Sequence, residues 1–382
     1  MENNEHRRFT IIEEIIKGLK HEHDCMYSQD GKRLLKGNED VESSTIKEGT
    51  EVICDGAFDG CKSLQSIVIP ESVTEIGNGA FFGCSSLQSI VIPDSVTKIG
   101  DGAFDGCKSL QSIVIPKSVT EIGWGTFYKC ESLQNIVIPE SVTKIGDNAF
   151  LFCTSLQSIV IPNSVTEISN KPFDLGIEII SHSDRFVVED DLLIDLKEKR
   201  LIQCLKDKDA IVIPELITKI GRTAFNGCKS LQNIVIPESV TEIGGGAFGE
   251  CESLQSIVIP DSVTEIGNLA FYCCSSLQSL VIPESVTKIG DGAFDECKSL
   301  QSIVIPESVT EIGDGAFYEC ESLQNIVIPD SVTKIGKEAF KGCESLESIV
   351  IPNGTREHFE DLLDGEYHKL LKEEGYAKAS QD

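Results

Sequence analysis

One period governs this chain. Eleven of its 15 cysteines fall 23 residues apart: Cys61, Cys84, Cys107, Cys130 and Cys153, then Cys228, Cys251, Cys274, Cys297, Cys320 and Cys343. The dipeptide Ile-Pro keeps the same step, ending at Pro70, Pro93, Pro116, Pro139 and Pro162, and again from Pro214 to Pro352. Self-similarity at 20 to 50 residues marks a solenoid, whose coils bury their apolar faces only by stacking. The interval from Pro162 to Pro214 is 52 residues, two periods and six more, so the array is expected to run through a degenerate coil with a small insertion.

One unit, residues 253–274, shows how a coil closes. Leu254, Ile257 and Ile259 point one way from a short strand, with Gln255 and Val258 on the other side. Pro260 removes the next N–H donor and ends the strand, and Pro-Asp-Ser turns the chain. Val263 and Ile266 return inward, and Gly267 reads as a left-handed turn. The spacing of Ala270, Phe271 and Cys274 predicts one helical turn facing the core. Each coil then offers about eight inward side chains.

These residues resemble the leucine-rich repeat superfamily, and within it the BspA-like class with the pattern L-x-x-I-x-I-P-x-S-V-T-x-I-G-x-x-A-F-x-x-C. The resemblance covers about residues 46–354. It implies a repeat solenoid with a leucine-rich-repeat-type parallel β-sheet and short helical turns, capped at both ends, used for recognition and often found on a microbial cell surface. One departure stands out. Where the general pattern has Asn or Cys after the strand, this chain has Ser72, Ser95 and their equivalents, which predicts a Pro-Ser turn in place of an Asn ladder.

The ends read as caps, because a parallel stack leaves two open edges. An N-terminal cap over 1–45 combines a helix lined by Ile11, Ile12, Ile15, Ile16 and Leu19 with a hairpin from Met26 to Leu35 around Asp30-Gly31. A C-terminal cap and tail over 355–382 starts at Thr355, read as a helix cap, with Phe359, Leu362, Leu363, Leu370 and Leu371 near one face. Between the caps, 46–354 reads as one solenoid domain. A hairpin near 185–205 projects from its degenerate coil.

Composition limits the partners. With 33 Lys+Arg against 62 Asp+Glu the formal charge is -29, which repels nucleic acid and anionic lipid and favours a basic or neutral partner. No run approaches the roughly 18 apolar residues of a spanning helix, and the N-terminus has no apolar core that reads as an export signal. A cytoplasmic setting is therefore slightly favoured on residues alone, and a cell-surface one by the resemblance.

Chemistry-bearing residues have bland readings beside the sharp ones. The cysteine ladder could suggest a thiol or metal-thiolate array, but cysteines beside Ala and Phe read as buried small apolar groups. Cys25, Cys54, Cys204 and Cys273 lie off the ladder and are the expected accessible thiols. His21, His23 and Cys25 lack a second pair at zinc spacing. The string Gly56 to Ser63 fails the phosphate-loop spacing and recurs at 102–109, and Asp101-Gly102 and Asp291-Gly292 lack the alternating carboxylates of a calcium loop. Only His182 of the six histidines lies in the array, so no Ser-His-Asp set is expected and no cofactor is assigned.

What remains is surface. An outward stripe of Gln and Val includes Gln111, Val114, Gln134, Val137, Gln157 and Val160, the candidate surface for a protein partner. Strand propensity and in-register Gln ladders give the structural alternative. Phe82, Trp124, Tyr128, Phe152, Tyr272 and Tyr318 break consensus on the turn side, with Trp124 and Tyr128 the secondary candidates. Charges alternate from coil to coil, as in Glu75, Lys98, Glu121, Lys144 and Glu167, which fits register more than function. The resulting expectation is a non-enzymatic recognition module. A scaffold without a dedicated ligand, or a thiol or metal protein, are the alternatives.

Overall fold

The structure, a computed structural model, describes residues 20–22 and 25–374. The helix expected from Ile11 to Leu19 lies outside the described residues, as does His23. The chain separates into two compact units, one ending at Val188 and the other beginning at Glu189, so the boundary falls in the coil that the sequence marks as degenerate.

Within each unit the 23-residue period becomes a parallel β-solenoid. A coil contributes a short strand such as Ser256–Val258 and a return strand such as Glu265–Ile266, each paired in register with its counterparts 23 residues away. The eight inward residues of this coil, from Leu254 to Cys274, are all buried. Their phenylalanines form face-to-face stacks. One runs from Phe58 to Phe173 with centroids 5.2–5.9 Å apart, and the other from Phe225 to Phe340 at 5.2–5.6 Å.

The expected helical turn is absent. On the side between Gly267 and Leu277, Ala270, Cys274 and Leu277 close three-residue turns onto Gly267, Phe271 and Cys274, at 3.0–3.2 Å. Alternate amides leave the coil: Leu269, Phe271 and Cys273 each donate at 2.8 Å to Asp291, Ala293 and Asp295 of the next, while Tyr272 stays on Leu269 at 3.1 Å. A helix keeps every amide on its own axis, and the two left-handed residues in each coil, here Leu269 (φ 58) and Cys273 (φ 56), forbid that. This side is thus a third hydrogen-bonded ladder. Gly267 is not itself left-handed. It is small because a Cβ there would sit 2.7 Å from the Gly245 nitrogen.

Polar side chains bind coil to coil at the corners. The predicted serine turn is a ladder in which Ser95 donates to the Val73 carbonyl at 2.7 Å and Ser141 to Val119 at 2.7 Å. An Asn/Asp ladder also exists, contrary to expectation, at a different corner. Asn78 Oδ1 accepts from the Asp101 amide at 2.9 Å, Asp101 Oδ1 from Trp124 at 2.8 Å, and Asp291 Oδ1 from Asp314 at 2.9 Å. Exposed ion pairs reinforce the register, Lys98–Glu75 at 2.6 Å among them, and Lys108–Glu131 and Lys298–Glu321 at 2.8 Å form a second row.

Each unit opens on the same device. Cys25–Tyr27 and Arg33–Lys36 form an antiparallel hairpin, and the second strand pairs in parallel with Val52–Ile53. In the other unit Leu192–Asp195 and Arg200–Cys204 do likewise, and Arg200 pairs with Lys219. The strings Lys32-Arg-Leu-Leu and Lys199-Arg-Leu-Ile match. This second hairpin does not project. Leu192, Leu193, Ile194, Leu201 and Ile202 are all buried, because both faces of the hairpin are apolar. At the C-terminal end a helix covers Arg356–Leu362 only. Thr355 spends its hydroxyl on the Pro352 carbonyl instead of capping, and Leu371 belongs to a strand, Leu371–Glu374, parallel to Ser348–Pro352.

Candidate functional site

The strand side carries the first set of candidates. Alternation puts Ile113, Ile136 and Ile159 in the core and leaves Val114, Val137 and Val160 outward, 76%, 78% and 38% exposed. Gln111, Gln134 and Gln157 are also exposed. The stripe is less uniform than its sequence. Ser112–Ile113 pairs with Ser89–Ile90, Asn135 adds one bridge to Ser112, and Ser158–Ile161 pairs instead with Glu178–Ser181. Strands of two or three residues cut short by Ile-Pro leave few amides for a continuous sheet. The Gln positions form a ladder through the main chain: Gln111 donates its amide to the Gln88 carbonyl at 3.1 Å, and Gln134 to Gln111 at 3.1 Å. Among the described residues these Gln side chains make no hydrogen bond to one another.

The turn side holds Trp124 and Tyr128. Trp124 is exposed and takes the place of an Asp in the corner ladder, lying over Gly102. Tyr128 is half-buried. Its ring meets Phe152 edge-on at 5.3 Å and carries the Lys129 ammonium 5.0 Å from its centroid. Sequence reading found these aromatics but not the two aspartates between them. In chain register one row runs Phe82, Asp105, Tyr128, and the corresponding row of the other unit runs Tyr272, Asp295, Tyr318, since Gly83 donates to Asp105 and Gly106 to Tyr128, as Cys273 does to Asp295 and Glu296 to Tyr318. Burial pushes both carboxyls up, each to about 6. The signal was present: Asp and aromatic residues alternate at this position from Asp59 to Tyr128 and from Tyr272 to Tyr318. The burial was not readable from spacing.

The remaining chemistry is absorbed by the fold. Ladder thiols donate to carbonyl oxygens, Cys107 to Phe81 at 3.2 Å and Cys274 to Phe248 at 3.1 Å, so they act as donors as well as small apolar groups. All 15 cysteines are free. Cys25 and Cys204 are buried, against expectation, because each occupies a strand of an opening hairpin; Cys54, Cys273 and Cys343 are the partly exposed ones. The loop from Gly56 to Ser63 has no amides to spare for a phosphate at Gly56, Phe58 and Gly60, which donate to Asn78, Ala80 and Phe82 of the next coil. His358 and His368 each place Nε2 against a main-chain carbonyl, of Val332 and Leu363. Among the described residues no group of three metal-ligand types assembles, and no helix is long and apolar enough to cross a membrane.

Comparison with known proteins agrees with this architecture. The family description "BspA type Leucine rich repeat region (6 copies)" matches residues 51–179, 202–321 and 264–365. The chain is similar to a leucine rich cell surface protein of Faecalibacterium prausnitzii, at 29% identity and TM-score 0.62, covering 94% of this chain and 98% of that one. A leucine-rich repeat protein of Eubacterium ventriosum is 26% identical, with TM-score 0.64 over 81% and 92% of the two chains. The pneumococcal vaccine antigen PcpA shares the fold at 18% identity and TM-score 0.60, over 94% and 97%. Among curated proteins none matches.

Proposed function

The chain belongs to the BspA-type leucine-rich repeat family, and from that premise we propose that it is a non-enzymatic recognition module whose strand side receives a protein partner. The observation that carries this reading is the outward valine row. Val114 and Val137 stand almost fully in solvent above a core that Ile113 and Ile136 already complete. An apolar row flanked by Gln and Ser suits a broad interface of shallow contacts more than a small-molecule pocket. Gln111, Gln134 and Gln157 supply donors and acceptors beside it.

The test is Val114→Lys, Val137→Lys and Val160→Lys together, with circular dichroism to confirm the fold. Capture of partner from host extract should fall at least tenfold. Unchanged capture there, with loss in Trp124→Ala/Tyr128→Ala, would move the site to the turn side. The F. prausnitzii relative is a cell surface protein, so surface display is the setting to test first, by labelling intact host cells with a membrane-impermeant reagent. The 15 free cysteines favour a second setting, a scaffold in a reducing compartment. Absence of surface label would support it.

A further inference from the structure

We propose that the turn side carries two matched cation-accepting sites, Phe82–Asp105–Tyr128 and Tyr272–Asp295–Tyr318, each built to take the guanidinium of one arginine from a basic polypeptide. The inference stands apart from the strand-side reading, since it concerns a different face.

Three observations converge. In both units a single aspartate sits in register between aromatic residues of the coils before and after it, in coils whose core phenylalanines stand 5.3–5.7 Å apart. Each carboxylate is desolvated and only partly compensated, by the Lys129 ammonium near Asp105 and by the Glu296 amide near Asp295. Asp105 is 8% exposed and its carboxylate accepts no hydrogen bond among the described residues, and Asp295 Oδ1 is buried with no partner. A buried acceptor left open costs free energy unless something fills it. Finally, an exposed apolar side chain walls each site: Trp124 over Gly102 beside Asp105, and Leu269 over Gly292 beside Asp295.

The chemistry that fits is a flat cation. A guanidinium can fork two N–H donors onto a carboxylate while its face lies on an aromatic ring, and it is dehydrated more easily than an ammonium. Both tyrosine rings already accept a cation from the chain's own lysines. Lys129 lies over Tyr128 at 5.0 Å and Lys341 over Tyr318 at 5.8 Å. Around Asp105 the charged neighbour is Lys129; around Asp295 they are Glu296 and Glu319, with Asp291, Asp314, Lys337 and Glu338 along the same cleft. The net charge of -29 draws a basic chain toward either site.

Trp124 is the only tryptophan, which makes its emission a local reporter of the first site. The native protein at physiological salt is titrated with N-acetylargininamide and with neutral N-acetylcitrullinamide. A saturable change with the first and none with the second is expected. Asp105→Asn should raise the midpoint at least tenfold and Tyr128→Leu severalfold, whereas Asp295→Asn should leave this signal in place and remove half of the sites counted by equilibrium dialysis. Equal response to both probes, or unchanged midpoints in both Asp105→Asn and Tyr128→Leu, would overturn the proposal. N-acetyllysinamide binding as tightly as the arginine probe would overturn the guanidinium assignment.

Discussion

The thiol of Cys107 donates to the carbonyl oxygen of Phe81, one coil earlier, at 3.2 Å. That oxygen also accepts the Cys84 amide of its own coil at 3.2 Å, so the cysteine ties neighbouring coils together at the foot of the phenylalanine stack. Burial pushes the thiols of Cys107, Cys130, Cys153 and Cys274 up, Cys153 to about 12, and away from the reactive thiolate, whereas the contact with Cys84 lowers Cys61 at the end of the ladder. With a thiol reagent at neutral pH, only Cys54, Cys273 and Cys343 are expected to label quickly in the native protein. Rapid reaction of most of the 15 would contradict the buried ladder.

Phe294 is sandwiched between Phe271 and Phe317 at 5.4 and 5.3 Å, and Phe82 lies in solvent. Phe294→Ala should cost about 3–5 kcal/mol in urea unfolding through the cavity it leaves. Phe82→Ala should cost under about 1 kcal/mol. Comparable losses in both would mean that the stack adds little.

The corner ladder separates size from chemistry. Asp291 Oδ1 holds the Asp314 amide at 2.9 Å, and Asn does the same work at Asn78 and Asn268. Asp291→Asn is therefore expected to be nearly neutral, and Asp291→Ala to cost about 1–2 kcal/mol. Thermal unfolding of the pair decides this.

Asp105 sets a pH dependence. Its folded value, pushed up to about 6 by burial, lies above the ordinary carboxyl value, so the folded state holds the proton more tightly than the unfolded one. That stabilisation is full below about pH 4 and is lost as pH rises through about 6. Asp105→Asn should thus be more stable than the native chain at pH 7, by about 1–2 kcal/mol, and equal to it at pH 3.5. A difference that does not change between these pH values would refute the assignment.

Much of this was legible in the repeat. Period, inward residues and outward valines follow from alternation, and Pro260 and its equivalents mark where strands end. What failed was local. Ala270, Phe271 and Cys274 have helical spacing, but the spacing says nothing of whether an amide bonds within its coil or to the next. The residue that decides is Leu269, whose left-handed backbone an ordinary side chain rarely adopts. Likewise Gly267 looked like a turn residue when its constraint is the Gly245 nitrogen of another coil. Such contacts lie 23 residues away in sequence and one layer away in space. The burial of Cys25, Cys204 and Asp105 was hidden for the same reason, because it depends on neighbours that a linear reading does not place.

The row through Phe82, Asp105, Tyr128 and Leu151, and through Tyr272, Asp295, Tyr318 and Lys341, behaves as a line of type in which each coil sets one letter while its core stays constant. Letters stand about 5 Å apart, whereas a polyproline II peptide advances about 3.1 Å per residue and returns to the same face every third residue. Two coils, about 10 Å, match three residues of such a peptide. A chain lying along this row would therefore be read at every third side chain, and inserting or deleting one period would shift the reading frame by a coil without disturbing the letters on either side.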